Sequence, residues 1–127
     1  MKEKLDNLLK NAYQPYSKVS VAAIVITKDG SQYKGVNIEN AAFPSGICAE
    51  RTAIFSAIID GKRKGDFQEI HLTSSTEAPL FPCGACRQVM AEFFEPDTPI
   101  YIYNDSHDVE ITFDKLLPHA VLKESLK

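Results

Sequence analysis

The sequence predicts an α/β fold built on a mixed five-stranded sheet. Three observations carry that expectation. Helix-like and strand-like periodicities alternate from residue 49 onward, which implies crossovers and a parallel portion of sheet covered by helices. The turn motif Lys28-Asp29-Gly30-Ser31 separates two apolar runs and predicts an antiparallel hairpin nearer the N-terminus. The length of 127 residues, at ~100–200 residues per domain, fits one compact domain over residues 1–127.

The elements follow in order. Leu5, Leu8, Leu9 and Ala12 recur at helical spacing, predicting an amphipathic helix over the first dozen residues that ends at Tyr13-Gln14-Pro15. Ser17 to Thr27 reads as a strand, and Gln32 to Asn37 as its hairpin partner. Ala49 to Asp60 is a helix with Ala53, Ile54, Ala57 and Ile58 on its buried face and Gly61 as its stop. Glu69 to Ser74 is a strand, Cys83 to Phe94 a helix, Ile100 to Tyr103 a strand and Val109 to Thr112 a short fifth strand. Thr112 caps a last short helix before Pro118. The sequon Asn104-Asp105-Ser106 is expected as a polar turn between strands.

Composition excludes several functional classes. With 14 Lys and Arg against 17 Asp and Glu, the net charge is -3, whereas proteins held to duplex nucleic acid by phosphate contacts are normally basic. No nucleic-acid partner is expected. The longest wholly apolar run, Val21 to Ile26, falls far short of the ~20 residues a bilayer span requires. The N-terminal MKEKLDNLLKNAY lacks the apolar region and cleavage site of a signal peptide, so a cytoplasmic protein is expected. Three cysteines in such a protein favour thiolate chemistry over a disulfide framework.

Cys83 and Cys86 form a CxxC at a predicted helix start, where backbone N–H groups and the helix dipole stabilise thiolates. Cys48 sits at the start of the other internal helix, so two helix N-termini can converge on one ion. Zinc suits such a set, and a catalytic site uses three protein ligands and keeps its fourth position for water. The competing arrangement is a closed structural site completed by His71, His107 or His119, none of which lies at ligand spacing from a cysteine.

Glu50 follows Cys48 by two residues. An acid in a helix's first turn is ordinarily a dipole-stabilising residue, but beside a zinc-activated water it can act as general acid and base. Two residues apart on an ideal helix means nearly opposite faces. Cys48 is therefore expected at the cap, outside regular helical geometry.

Cys48-Ala49-Glu50-Arg51, Pro82-Cys83-x-x-Cys86 with Arg87-Gln88 following, and Asn37-Ile38-Glu39-Asn40 together resemble the small zinc-dependent cytidine deaminases. Pro15-Tyr16-Ser17, the hairpin and Leu116-Leu117-Pro118 extend the resemblance over most of the chain. It implies a three-layer α/β/α sandwich, a homotetramer, and conversion of cytidine or deoxycytidine to the uridine product with release of ammonia in pyrimidine salvage. It also implies one Zn2+ per subunit, held by Cys48, Cys83 and Cys86, with Glu50 as the proton shuttle and Arg51 donating to the ligand sulfurs.

The resemblance further assigns substrate contacts. Asn37, Ile38 and Glu39 hold the sugar, the Ala49 backbone N–H binds the base carbonyl, and Val19 and Phe43 stand at the base. Many relatives carry phenylalanine where this chain has Val19 and Val121, which shifts aromatic stacking to Phe43 or Phe81. No glycine-rich phosphate cradle or arginine cluster lies nearby, so a free nucleoside is expected rather than a nucleotide. Two rival functions stand beside this one: a deaminase of another aminopyrimidine or an aminopyrimidine nucleoside antibiotic, and a non-catalytic zinc-stabilised binding module.

Overall fold

The computed structural model describes residues 1–126. In chain order its elements are α1 (Lys2–Leu9), β1 (Val21–Thr27), β2 (Gln32–Val36), α2 (Ala49–Ile59), β3 (Phe67–Ser74), α3 (Gly84–Phe93), β4 (Pro99–Tyr103), β5 (Val109–Thr112) and α4 (Phe113–Leu116). Short 3₁₀ segments at Phe43–Ser45 and Lys123–Leu126 lie outside the elements the sequence pattern predicts.

All five strands join one sheet in the order β2-β1-β3-β4-β5. β1 runs antiparallel to both β2 and β3, β3 is parallel to β4, and β5 returns antiparallel to β4. The parallel portion is therefore a single adjacent pair. α3 supplies its crossover, whereas β4 and β5 are joined by a turn too short for one. In that turn Asn104 accepts from the Ser106 N–H and hydroxyl at 2.9 and 2.7 Å, forming the polar turn expected there.

Alternation along β1 divides the core into two layers. Ala22 and Ile24 face α1 and pack on Leu5, with Leu8, Leu9 and Ile26 around them. Ala23 and Val25 face the other way, into a larger core with Ala53, Ile54 and Ala57 of α2 and Met90 and Ala91 of α3. Helices thus cover both faces of the sheet, as a three-layer sandwich requires. No helix among the described residues is long and apolar enough to cross a membrane.

The hairpin turns through Gly30, whose φ of +87° is a left-handed conformation glycine adopts without steric cost. Asp29 holds the turn together, accepting from the Thr27 hydroxyl at 2.6 Å and the Ser31 N–H at 3.1 Å. Three boundaries differ from expectation by two residues or more, and several others by one. α1 stops at Leu9, where the N–H groups of Asn11 and Ala12 switch to tighter turn bonds on the Leu8 and Leu9 carbonyls. β3 starts at Phe67 rather than Glu69, extended past a register irregularity between Ile26 and Thr27. β1 starts at Val21 rather than Ser17. There the Asn37 side chain takes the Val21 N–H and donates to the Val19 carbonyl, both at 2.8 Å, and Lys18 turns the chain with φ +64°.

Candidate metal centre and active site

Both internal helices begin on a cysteine. Cys48 is the N-cap of α2 and Cys83 the N-cap of α3, each with extended backbone dihedrals, and Cys86 lies one turn into α3. The three sulfurs lie within 4.8 Å of one another, and those of Cys48 and Cys83 are 3.7 Å apart. Cys83 is exposed, Cys48 half-buried and Cys86 buried, so the group opens to solvent on one side. The cap position of Cys48 removes the helical-face conflict with Glu50, because only Glu50 follows helical geometry.

The donor set fits a zinc ion. Soft sulfurs at two helix N-termini favour the thiolate form, and three ligands from the protein leave room for a fourth from solvent. Hydrogen bonding from Cys86 lowers the Cys48 thiol to about 5, with help from Arg51 and Cys83 and against the effect of burial. Cys86 is driven upward by the same pairing and by its burial. Arg51 places Nη2 3.5 Å from the Cys48 sulfur, and its Nε is buried without a hydrogen-bond partner. Among the described residues no histidine joins this group. His71 instead packs on the opposite layer, with Nδ1 2.8 Å from the Tyr103 hydroxyl and Nε2 on Glu69.

Glu50 occupies the second position of α2 with 5% of its surface exposed. Burial raises its carboxyl to about 7, the charge of Cys48 adds to the rise, and its own backbone N–H and Arg51 oppose it. A carboxyl poised there can both hold and release a proton at neutral pH.

A cavity of about 610 Å³ opens over Cys48, Cys83 and Glu50. Asn37, Ile38, Glu39, Phe43 and Arg51 also stand on its wall, so most of the sequence-predicted site residues share one space. Val19 does not line it: the Asn37 clamp holds Val19 by its carbonyl in the turn before β1. Ala49 is fully buried behind the wall, at the first position of α2. Phe43 is 75% exposed at the mouth and meets Tyr16 edge to face, with ring centroids 5.9 Å apart.

The polar wall residues are already partly engaged. Asn37 spends one donor and one acceptor on the backbone before β1. Glu39 accepts from the backbone N–H groups of Tyr16 and Ser17, each at 3.1 Å, and from the Ser17 hydroxyl. Those hydrogen bonds, led by the Ser17 hydroxyl, hold the Glu39 carboxyl below its usual range. Tyr16, Ser17 and Leu80 are wall residues that the sequence reading did not select. Leu80 carried a signal, as an apolar residue stranded in the loop before the CxxC; Ser17 lay within the Pro15-Tyr16-Ser17 stretch of the resemblance, but nothing local pointed to its partner 22 positions away.

Arg87 and Gln88, which follow the CxxC, hydrogen-bond to backbone carbonyls. Arg87 donates from Nε to the Pro82 carbonyl and from Nη1 to the Leu116 carbonyl, both at 2.8 Å, and Gln88 donates to the Val121 carbonyl at 2.7 Å. They fasten the loop bearing Cys83 to the C-terminal segment.

Comparison with known proteins places this geometry. A cytidine deaminase from Sporosarcina psychrophila is 48% identical over 118 residues, covering 92% of this chain and 85% of that protein. A blasticidin-S deaminase from Bacillus cereus is 30% identical over 108 residues, covering 80% of this chain and 76% of that one. The crystal structure of a cytidine deaminase from Burkholderia pseudomallei superposes with a TM-score of 0.89 at 40% identity, covering 94% of each chain. The family model of the cytidine and deoxycytidylate deaminase zinc-binding region matches residues 1–102 and so takes in Cys48, Glu50, Cys83 and Cys86, and the chain belongs to that zinc-binding deaminase family.

Proposed function

We propose that this protein is a zinc-dependent cytidine deaminase, hydrolysing cytidine and deoxycytidine to uridine and deoxyuridine with release of ammonia. The observation that carries the reading is the buried Glu50 carboxyl on the wall of an open cavity shared with Cys48 and Cys83, two members of a three-sulfur group. A buried carboxyl beside such a group serves proton transfer, whereas a non-catalytic zinc module fills the fourth position with a protein ligand, and no histidine among the described residues joins these sulfurs.

Cys48, Cys83 and Cys86 would hold the zinc, which supplies when bound the Lewis acidity that makes water a nucleophile at neutral pH. Three thiolates on a divalent ion carry one net negative charge, and the Arg51 guanidinium donating to Cys48 offsets it. Glu50 accepts the proton that the attacking water loses as its oxygen bonds to C4 of the base. It passes that proton to N3, then takes the remaining proton of the new C4 hydroxyl and delivers it to the exocyclic amine as the C4–N bond breaks and the C4 carbonyl forms. Water and cytidine are consumed, uridine and ammonia are formed, and Glu50 returns to its starting state.

Asn37 and Glu39 offer the sugar hydroxyls their remaining hydrogen-bonding capacity, with Ile38 between them on the rim. Phe43 and Phe81, both exposed at the cavity, take the stacking role that Val19 lacks the ring to fill. The Ala49 backbone N–H, at the first turn of α2, serves the base carbonyl. The reading extends to a homotetramer at work in cytoplasmic pyrimidine salvage, supported by the family resemblance and by the apolar residues exposed around the cavity mouth.

The test is turnover. Zinc-loaded protein is incubated with cytidine, deoxycytidine, cytosine, cytidine monophosphate and blasticidin S, following ammonia release with and without a chelator. Chelator-sensitive turnover of the two nucleosides is expected. Preference for blasticidin S supports the second reading, which the Bacillus cereus relative makes specific. No turnover of any compound overturns both.

A further inference from the structure

Ser17 stands at the centre of a bridge between the cavity wall and the chain before β1. Its hydroxyl donates to Oε2 of Glu39 and accepts the Val19 N–H at 3.1 Å, so its bonding is committed in both directions. The backbone N–H groups of Tyr16 and Ser17 converge on the other carboxylate oxygen, each at 3.1 Å. Lys18 bends the chain between Ser17 and Val19 with φ +64°, a left-handed conformation that a side chain bearing a Cβ adopts at an energetic cost. Local strain of this kind persists where surrounding contacts over-determine it, and it collects at ligand clamps. Here the bend turns the Val19 N–H back onto the Ser17 oxygen and brings two backbone donors to bear on Glu39.

A carboxylate has about four lone-pair sites. Three are taken by Tyr16, Ser17 N–H and Ser17 hydroxyl, which leaves one on Oε2 of a side chain that lines the cavity. We propose that Ser17 is a positioning residue for substrate affinity: it fixes the Glu39 carboxylate so that the remaining lone pair accepts one hydroxyl of the nucleoside sugar. The inference rests on the cytidine deaminase reading and adds to it a residue that touches neither the base nor the sulfurs. A carboxylate with its other sites satisfied offers a ligand one directed acceptor in place of a rotating pair, so the ordering cost of the contact falls before the ligand arrives. The Ser17 hydroxyl is also the largest influence holding the Glu39 carboxyl below its usual range, as expected of a charge-assisted hydrogen bond.

The experiment is a double-mutant cycle on zinc-loaded protein, with cytidine and with analogues each lacking one sugar hydroxyl. Ser17→Ala is expected to raise KM for cytidine about five- to tenfold at nearly unchanged kcat and zinc content, as loss of a charge-assisted contact would do. Ser17→Thr keeps the hydroxyl and restores KM to within about twofold of the parent, on the same reasoning. In a Glu39→Gln background Ser17→Ala adds nothing, and with the analogue lacking the accepted hydroxyl it changes nothing. An unchanged KM in active Ser17→Ala, a penalty that adds fully to Glu39→Gln, or an equal penalty with every analogue overturns the inference and leaves the deaminase reading standing. Absence of turnover by the parent protein overturns that reading itself, and the inference falls with it.

Discussion

A Cβ on Gly35 would lie 2.3 Å from the Ala49 carbonyl oxygen and 2.5 Å from the Ala53 nitrogen. No side-chain movement relieves such a contact, because both neighbours are backbone. Gly35 of β2 is therefore what lets the first turn of α2 sit directly on the sheet, and that turn carries Cys48 at its cap and Glu50 just inside. The Thr52 hydroxyl completes the seat, donating to the Cys48 carbonyl at 3.0 Å and reaching the Val36 carbonyl at 3.3 Å.

Gly35→Ala is accordingly expected to destabilise the protein by at least about 1–3 kcal/mol, the usual cost of overpacking, with more if backbone must move. Because the shift falls on the turn that positions Cys48, zinc affinity should fall with stability. Urea unfolding and competition against a metal indicator measure the two. Parent-like stability in this variant would show that α2 does not depend on the close approach.

Glu50→Gln separates proton transfer from structure. The amide keeps the size of a buried side chain on the cavity wall and needs no ionisation there, so fold and zinc content should be retained. What is lost is a group that can take and return protons, commonly worth ~10²–10⁴-fold in rate. A fall of at least about 10²-fold in kcat is expected, with metal content checked by atomic absorption. Near-parental turnover would remove Glu50 from the mechanism.

Much of this arrangement was legible in the sequence, for definite reasons. The two helices around the sulfurs announce themselves because Ala53, Ile54 and Ala57, like Cys86, Met90 and Ala91, recur at helical spacing on a buried face. The sulfur group was legible because CxxC at a helix start is a local pattern with a physical meaning. The start of β1 was not, because the apolar run alone cannot show that Asn37, sixteen residues from Val21, ends the strand by capturing its backbone. The engagement of Glu39 by Ser17 escaped for the same reason, since a contact made by folding leaves no periodicity behind. Val19, expected at the base, lies outside the cavity lining, in the turn that Lys18 makes before β1, and no periodicity announces that turn.

The hairpin carries a pH dependence of known sign. Lys62 donates to the Asp29 carboxylate at 2.5 Å, and together with the Thr27 hydroxyl and the Ser31 N–H it holds that carboxyl well below its usual range. A carboxyl depressed in the folded state contributes stability above its unfolded value of 3.8 and loses it as pH falls through the lower folded value. Asp29→Asn can still accept from Thr27 and Ser31 but has no charge for Lys62. The gap in Tm between parent and variant should be present at pH 7, shrink below pH ~4, and narrow in high salt, where an exposed pair is screened. A gap independent of both pH and salt would assign the effect to the turn hydrogen bonds instead.

Arg87 joins two segments that are remote in sequence, and its removal should show how the loop bearing Cys83 is held. Nε and Nη1 each reach a carbonyl at 2.8 Å, that of Pro82 immediately before Cys83 and that of Leu116 at the end of α4. Arg87→Met preserves the apolar stem but leaves both carbonyls without their donor, a loss of about 1–3 kcal/mol for each partly buried group that water does not recover. Arg87→Lys has one compact ammonium where the guanidinium spreads its donors over a rigid fork, so it should fall between parent and Met variant. Zinc should leave the Met variant faster than the parent in a chelator chase, because Cys83 then sits on a looser loop while Cys48 on α2 is untouched. If the Met variant unfolds at the parental urea midpoint and releases zinc at the parental rate, the loop is held by its own helix cap and the link from Pro82 to Leu116 has no part in it.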